Sequence, residues 1–386
     1  MSPSALFVTT VPITLEAFLL PFAEHFRAQG WRVDALSNGA TQHTPIFSDF
    51  DNRYDITWSR NPLNPSELFD TWARVRRVVI EGGYDIVHVH TPIAAFMTRY
   101  ALRSLPPSDR PSVIYTTHGF HFYPGQSLLM HTAFHTMESI AAHWTDYLVT
   151  INQEDYEAAL RFKGISHERV RYIPGIGVDI KRFAEGAVSP EEVAAVRAEL
   201  DVPDDGFMLT MIAEFAPVKR HAHLLEALAR VKDKRVVLVL VGTGPLEAEV
   251  RGQVGSLGLA DRVRFAGYRR DIPAVLATSD ALALVSQREG LARSVLEAMA
   301  AGKPVIGTDT RGIADAVGPD GGWIVAKNDV AALAAAIEGA AADPAGAHAR
   351  GAAARERARS EFALERIVAE YDSLYRKAMD SLPRSR

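Results

Sequence analysis

The stretch SQREGLARSVLEAMAAGKPVIG, residues 286–307, decides how the rest of the chain is read. The apolar run ALALVS (281–286) that leads into it reads as a buried strand, LARSVLEAMAA as a helix closed by Gly302, and PVIG from Pro304 as the next strand. The turn between strand and helix carries Glu289 and Gly290, and a second acid, Glu297, follows eight residues after the first. At 1.5 Å of rise per residue the two carboxylates are expected roughly 12 Å apart along the helix axis. Between them lie the amide N–H groups of the first turn, a cradle for a diphosphate. An extended ligand of sugar, diphosphate and ribose would fit such a ruler. The plainer reading is a dipole-stabilising acid at the helix mouth and an exposed acid on its flank. Spacing alone does not choose between them.

Working outward, the first half alternates short apolar runs with helical segments. ALFVTT (5–10), WRVDALS from Trp31, YDITWS from Tyr54, YDIVHVH from Tyr84, SVIYTTH from Ser112 and YLVTIN from Tyr147 read as strands. Helices are expected at about 15–29, 66–81, 93–105, 127–143 and 153–161. This alternation implies a parallel sheet with helices on both faces. A polar stretch, 181–206, broken by Pro190, Pro203 and Gly206, reads as an interdomain connection with one short helix. The pattern then restarts with FMLTMIAEF from Phe207, RVVLVLVG from Arg235, VRFAGY from Val263, and the strands already named. The expected architecture is therefore α/β, two Rossmann-like doubly wound domains facing a cleft, with ligands outside the carboxyl ends of the strands. The Ala-rich segment 330–359 is helix material, and a last helix over 362–380 carries Leu364, Ile367, Tyr371, Leu374 and Met379 near one face for docking.

Size and composition agree with this. The 386 residues suffice for two cores, and 47% hydrophobic with 23% charged residues is ordinary for a globular protein. A net charge of −5 leaves no polyanion footprint, which argues against a nucleic-acid partner. With no cysteine, disulfides, thiol catalysis and cysteine-ligated metals are excluded. MSPSALFVTT does not read as a signal peptide, and no run approaches the ~20 apolar residues of a membrane span. The expected location is cytoplasmic, with at most peripheral contact at a membrane surface.

Three further places invite chemistry. VGTGPLEAEV (241–250) offers a strand end, a Gly-x-Gly turn and a helix, but Glu247 stands where a dinucleotide fingerprint needs glycine, so NAD is disfavoured. The turn after the first strand, Thr9 to Pro12, has no Gly-rich loop either. Lys219 reads as opening the helix VKRHAHLLEAL, where a cation opposes the dipole; a nearby phosphate or simple solvent exposure would account for it. In THGFHFYPG (117–125), His118 falls at the carboxyl tip of a strand, with a satisfied histidine at a domain edge as the alternative. His121, His131 and His135 raise the question of a metal, but the company that a zinc site needs is missing, and no metal is expected.

Together these segments resemble the retaining, nucleotide-sugar-dependent glycosyltransferases of the GT-B fold, family four. REGLARSVLEAMAAGKPVIGTDTRG is similar to that family's Glu-seven-Glu signature, YIPGIGVDIKRF (172–183) to its interdomain hinge, VGTGPLEAEV to its Gly-x-Gly-Pro turn, and FAGYRRDIP (265–273) to its base-side loop. THGFHFYPG and TDYLVTINQEDYEAA resemble the branch that builds bacterial exopolysaccharide, capsule or O-antigen. The resemblance implies an acceptor-binding domain over 1–180, a hinge over 181–206, a nucleotide-sugar domain over 207–360, and a C-terminal helix over 361–386 that crosses back to the first domain.

It further implies that Glu289 bonds the transferred sugar, that the N–H groups of Leu291, Ala292 and Arg293, after Gly290, hold the diphosphate with Lys219, and that Glu297 takes the ribose. The backbone around Arg269 would meet the uracil, and His118 the anomeric centre. The chain departs from the family at Glu214, where many members carry a phosphate-binding arginine, and in the missing glycine-rich loop on the acceptor side. The activity expected is transfer of a hexose or N-acetylhexosamine from a UDP-sugar, as donor substrate and without a cofactor or metal, to a glycan or polyprenyl-linked glycolipid. A UDP-sugar epimerase of the same fold and a non-catalytic nucleotide-sugar-binding protein are the alternatives.

Overall fold

In the computed structural model, which describes residues 2–58, 65–123 and 125–382, the chain forms two compact units. One comprises Met1–Ile176 with Ile367–Arg386, the other Gly177–Arg366.

The first unit is built on seven parallel strands: β1 (Ser4–Val8), β2 (Arg32–Ser37), β3 (Arg53–Asp55), β4 (Ile86–His90), β5 (Ser112–Thr117), β6 (Tyr147–Thr150) and β7 (Val170–Tyr172). Their order is β3-β2-β1-β4-β5-β6-β7, so the chain reverses its direction of winding between β1 and β4. Ala5 faces Val33 on one side and Ile86 on the other. Every residue of β1, β4 and β5 is buried, as expected of a parallel sheet covered on both faces.

The segment expected as one helix over 15–29 is three pieces: a short helix Pro12–Thr14, a π turn Leu15–Leu19, and a helix Leu20–Ala28. Pro21 has no N–H to give to the preceding turn, and the π turn ends directly before the helix whose first turn holds this proline.

The second unit repeats the plan with β8 (Phe207–Ile212), β9 (Val236–Val241), β10 (Val263–Gly267), β11 (Ala281–Leu284), β12 (Val305–Thr308) and β13 (Gly322–Val325). Their order is β10-β9-β8-β11-β12-β13, again all parallel, with the reversal between β8 and β11. Two short edge strands, β7 and β13, escape the sequence reading. VRY is too short to show a period, and GWIV opens on Gly322, where a Cβ would lie 1.9 Å from the Val305 carbonyl oxygen.

The polar stretch 181–206 carries helix Pro190–Glu199, started by a capping box between Ser189 and Glu192. Its Val196, with Leu200 and Val202, is buried against Met208, Val237 and Val239 of the second sheet. Three apolar positions among many charges are a weak signal in the sequence but enough to dock the helix.

The last helix, Leu364–Asp380, joins the first unit from Ile367 onward. Tyr375 stacks on Phe26 with ring centroids 4.5 Å apart, and Tyr371 meets Phe22 edge-on at 5.1 Å. The expected crossing back to the first domain is therefore present. Its buried stripe is Ile367, Val368, Tyr371, Leu374, Tyr375 and Ala378, with Leu364 and Met379 only half-buried.

Candidate active site

At a sheet's winding reversal, the loops leaving the two flanking strands diverge and leave a crevice at the carboxyl edge. In the second unit those loops follow β8 and β11, and they carry Lys219 and Glu289. Lys219 does not open a helix. It ends a 3₁₀ turn, Pro217–Lys219; Arg220 takes a left-handed conformation at φ 58°, and the helix begins at His221. The cation is thus outside the helix, and its partner is Glu289, with Nζ 2.6 Å from Oε1. The Gln287 N–H donates to the Val218 carbonyl at 2.8 Å, which ties the two loops together by backbone as well.

Glu289 and Glu297 do not share one helical ruler. The helix is Arg293–Ala300, so Glu289, Gly290, Leu291 and Ala292 form its approach loop, and the expected 12 Å axial spacing fails for this part. The Ala292 carbonyl accepts from the Val295 and Leu296 N–H groups, which places Leu291, Ala292 and Arg293 at the mouth of the helix. Neither acid is a surface acid. The Glu289 side chain is 11% exposed, and Glu297 as a residue is 7% exposed. Glu297 accepts from Arg293 Nε at 2.8 Å. Burial pushes its carboxyl above the usual range, and the Arg293 guanidinium works against that shift.

Two supports of this loop are not evident in the sequence. The hydroxyls of Thr308 and Thr310 both donate to the Ser286 carbonyl, at 2.9 and 3.0 Å, fixing the point where the loop leaves β11. Gly312 then presses against it: at φ +80°, a Cβ there would lie 2.1 Å from the Gly290 carbonyl oxygen. The signal for both is the run TDTRG, residues 308–312, which begins on the last residue of β12 and closes the signature. The Gly-x-Gly turn plays a matching part beside β8. A Cβ on Gly242 would fall 2.2 Å from the Ala213 carbonyl oxygen, and one on Gly244 would fall 2.6 Å from the Phe215 nitrogen. Phe215 in turn stacks on His221 at 4.4 Å and faces Phe265 at 6.0 Å.

Arg269 follows β10 at the same edge, with its guanidinium held by Glu199 at 2.6 Å and by Asp271. Those carboxylates keep it firmly charged, raising its pKa, so only its backbone remains available for the expected base contact.

His118 lies in the first unit, just beyond β5. It stacks on Phe18 of the π turn with centroids 5.8 Å apart, and its Nε2 is 3.1 Å from His90 Nδ1. Burial lowers its pKa to about 4, so the ring is neutral at ordinary pH. His88 and His90 are buried beside it and shifted the same way, His88 to about 3. His131 and His135 lie against Phe122, and His121 against Phe134, as an aromatic cluster. Among the described residues no group of three or more His, Asp or Glu is placed to hold a metal ion. No described helix is long and apolar enough to cross a membrane.

Comparison with known proteins joins these observations. Residues 193–357 match the family model for glycosyl transferases group 1, and residues 15–182 match that for glycosyltransferase family 4. The chain is 34% identical to the putative glycosyltransferase EpsD of Bacillus subtilis (strain 168), over 98% of both chains. It is 28% identical to the UDP-Gal:alpha-D-GlcNAc-diphosphoundecaprenol alpha-1,3-galactosyltransferase of Escherichia coli, over 59% of each. Among solved structures, HepE of Anabaena in complex with UDP superimposes with a TM-score of 0.82 at 22% identity, covering 98% of this chain and 100% of that one. With two parallel-sheet units of this fold and a full-length relative at that identity, the chain belongs to the family-four glycosyltransferases of group 1, retaining enzymes of the GT-B fold.

Proposed function

We propose that this protein transfers a hexose or N-acetylhexosamine from a UDP-sugar to a glycan or polyprenyl-linked glycolipid acceptor in the synthesis of a bacterial surface polysaccharide. The observation that carries the reading is the contact between Lys219 and Glu289 at the winding reversal of the second sheet. A cation, a carboxylate and a helix mouth meet at one edge, which is what a sugar diphosphate requires. In this reading Lys219 and the amides of Leu291, Ala292 and Arg293 hold the diphosphate, Glu289 the sugar, Glu297 the ribose, and the backbone around Arg269 the uracil. The second unit is then the donor domain. The first unit supplies His118 at the anomeric centre and the acceptor surface.

The transfer is balanced without a protein nucleophile. The acceptor oxygen bonds to the anomeric carbon while that carbon's bond to the diphosphate breaks. The acceptor's proton passes to the departing phosphate oxygen on the same face, giving UDP and a retained configuration. The protein's contribution is positioning and stabilisation of the charge that develops on the leaving group. Names of relatives support the donor and acceptor classes: one structural neighbour holds UDP, and one sequence relative uses UDP-Gal and a diphosphoundecaprenol-linked sugar.

The test is a UDP-release screen with UDP-Glc, UDP-Gal, UDP-GlcNAc, UDP-GalNAc and GDP-Man, with and without a lipid-linked acceptor. Acceptor-dependent release from one UDP-sugar, with the α-linked product, is expected. A new UDP-sugar appearing without acceptor would replace the proposal with epimerisation, and binding with no turnover of any donor would overturn it.

A further inference from the structure

The side chain expected to act in the first unit, His118, is held by neighbours whose arrangement says more about its ring than burial alone. Its Nε2 faces His90 Nδ1 at 3.1 Å, so one proton lies between two neutral rings. Phe18 covers a face of His118, stacked at an interplanar angle of 26°. The ring is thus fixed in plane by one contact and in rotation by the other.

His90 is itself anchored from both sides. Its ring lies against His88, centroid to centroid 4.0 Å, and His88 is saturated: Nδ1 bonds the Tyr375 hydroxyl at 2.5 Å and Nε2 bonds Thr116 Oγ1 at 2.7 Å. On the backbone side comes Thr91, at φ 62° and ψ 134°, a conformation that costs a β-branched residue strain of order 1–3 kcal/mol. Thr91 is kept there by Thr10, whose N–H donates to Thr91 Oγ1 at 3.0 Å and whose hydroxyl lies 2.7 Å from it. Thr10 and Thr91 follow β1 and β4, the two strands at the winding reversal of the first sheet. Strained backbone of this kind persists where the surroundings over-determine it, and it concentrates at working sites.

The direction of the shared proton follows from the far side of His90. Its Nε2 is buried with no hydrogen-bond partner among the described residues. If His118 donated to His90 Nδ1, the His90 proton would have to sit on that buried Nε2 as an orphaned N–H. An unpaired buried donor is the rarer arrangement in proteins, a bare acceptor the less rare one.

We infer that His90 is a positioning residue: its Nδ1–H donates to His118 Nε2 and so locks His118 as the tautomer protonated on Nδ1, a hydrogen-bond donor toward the substrate. This rests on the proposed role of His118 in transfer, although the tautomer itself does not. Neutral at working pH, His118 then offers an N–H to a sugar or acceptor oxygen and does not serve as a base at Nε2.

The experiment is long-range ¹⁵N–¹H correlation of the histidine rings in the full chain, with the His118 signals assigned by loss in His118→Gln. Wild type is expected to show His118 protonated on Nδ1 and bare at Nε2. His90→Phe, which has no donor, should release His118 toward the Nε2–H form and lower kcat roughly ten- to hundred-fold with UDP affinity unchanged. His90→Gln, which keeps an N–H donor, should recover part of both. If His90→Phe does not fold, the wild-type spectrum and His90→Gln carry the test. A wild-type His118 protonated on Nε2 overturns the assignment, and a His90→Phe protein with normal kcat, beside a His118→Gln protein that has lost turnover, overturns the positioning role of His90. If His118→Gln keeps full turnover while the wild-type tautomer is as stated, the role of His118 falls and the hydrogen bond stands.

Discussion

Lys219 and Glu289, seventy residues apart in sequence, meet at 2.6 Å with side chains 23% and 11% exposed. The acid assigned to the sugar thus holds the cation assigned to the phosphate. The Glu289 carboxylate occupies Lys219, and a diphosphate would compete with it for the same ammonium. Glu289→Gln removes that competitor's charge. Its UDP affinity is expected to rise by a few-fold in calorimetry, while turnover falls because the sugar loses a charged contact worth about 1.5–3 kcal/mol. Lys219→Ala should weaken UDP roughly ten- to hundred-fold. Weaker UDP binding by Glu289→Gln would show that the pair acts as one unit in holding the nucleotide.

Glu297 separates from Glu289 in the same assay. The ribose it is assigned to is part of UDP itself, so Glu297→Gln is expected to cost UDP affinity roughly ten- to hundred-fold. The change also removes the negative charge that Arg293 Nε meets at 2.8 Å, so a thermal melt accompanies the titration. Unchanged UDP affinity in a protein of normal melting temperature would remove Glu297 from the donor site.

Gly312→Ala tests the buttress. A methyl group would fall on the Gly290 carbonyl in a backbone that already favours glycine, and backbone cannot move aside cheaply. A loss of about 1–3 kcal/mol in stability is expected, with UDP affinity falling because the displaced loop carries Glu289 and the helix-mouth amides. Gly258→Ala, also at positive φ but with open space around its Cβ position, is the control and should cost stability without UDP affinity.

The diphosphate's charge is assigned to Lys219 and backbone N–H groups. Incubation with EDTA is therefore expected to leave transfer nearly intact. A large loss restored by magnesium or manganese would require ligands that this reading does not name.

Much of this was open to sequence reasoning, and for identifiable reasons. Strands such as VVLVLV and ALAL are continuous apolar runs because parallel strands are buried on both faces, and Glu-seven-Glu is a local spacing. What stayed hidden is non-local or short. The pairing of Lys219 with Glu289 and of His90 with His118 depends on which strands become neighbours, and the strand order is not written in any one segment. The spacing leaves open whether Glu297 is an exposed acid, because helical periodicity does not reveal that its flank is covered. The helix starts at Arg293 and not at Leu291, because Leu291 and Ala292, good helix formers, lie in a loop tied down at Ser286 and pressed by Gly312.

The three histidines of the first unit make its stability depend on pH in a definite direction. His88, His90 and His118 are buried neutral, with pKa about 3 for His88, about 4 for His118, and well below 6.5 for His90. In the unfolded chain each titrates near 6.5. The unfolded state therefore binds more protons than the native state once the pH drops below that value, and stability falls with pH. Their contribution is fully present above pH 6.5 and is lost as the pH falls toward 4. Each proton taken up only on unfolding lowers stability by about 1.4 kcal/mol per pH unit. Urea unfolding at pH 7.5, 6.5, 5.5 and 5.0 should show a decline beginning near 6.5, above the range in which ordinary carboxylates titrate. His118→Gln removes one of the three groups and should reduce the slope by roughly a third. In the second unit, His221, which burial lowers to about 4, acts in the same sense, and the raised carboxyl of Glu297 acts in the opposite one, favouring the native state in acid. A probe confined to the first unit, such as Trp31 fluorescence with the other tryptophans replaced, isolates the histidine term. Stability flat between pH 7.5 and 5.0 at that probe would mean that the three rings can be protonated in place, and the neutral His118 on which the donor assignment depends would go with it.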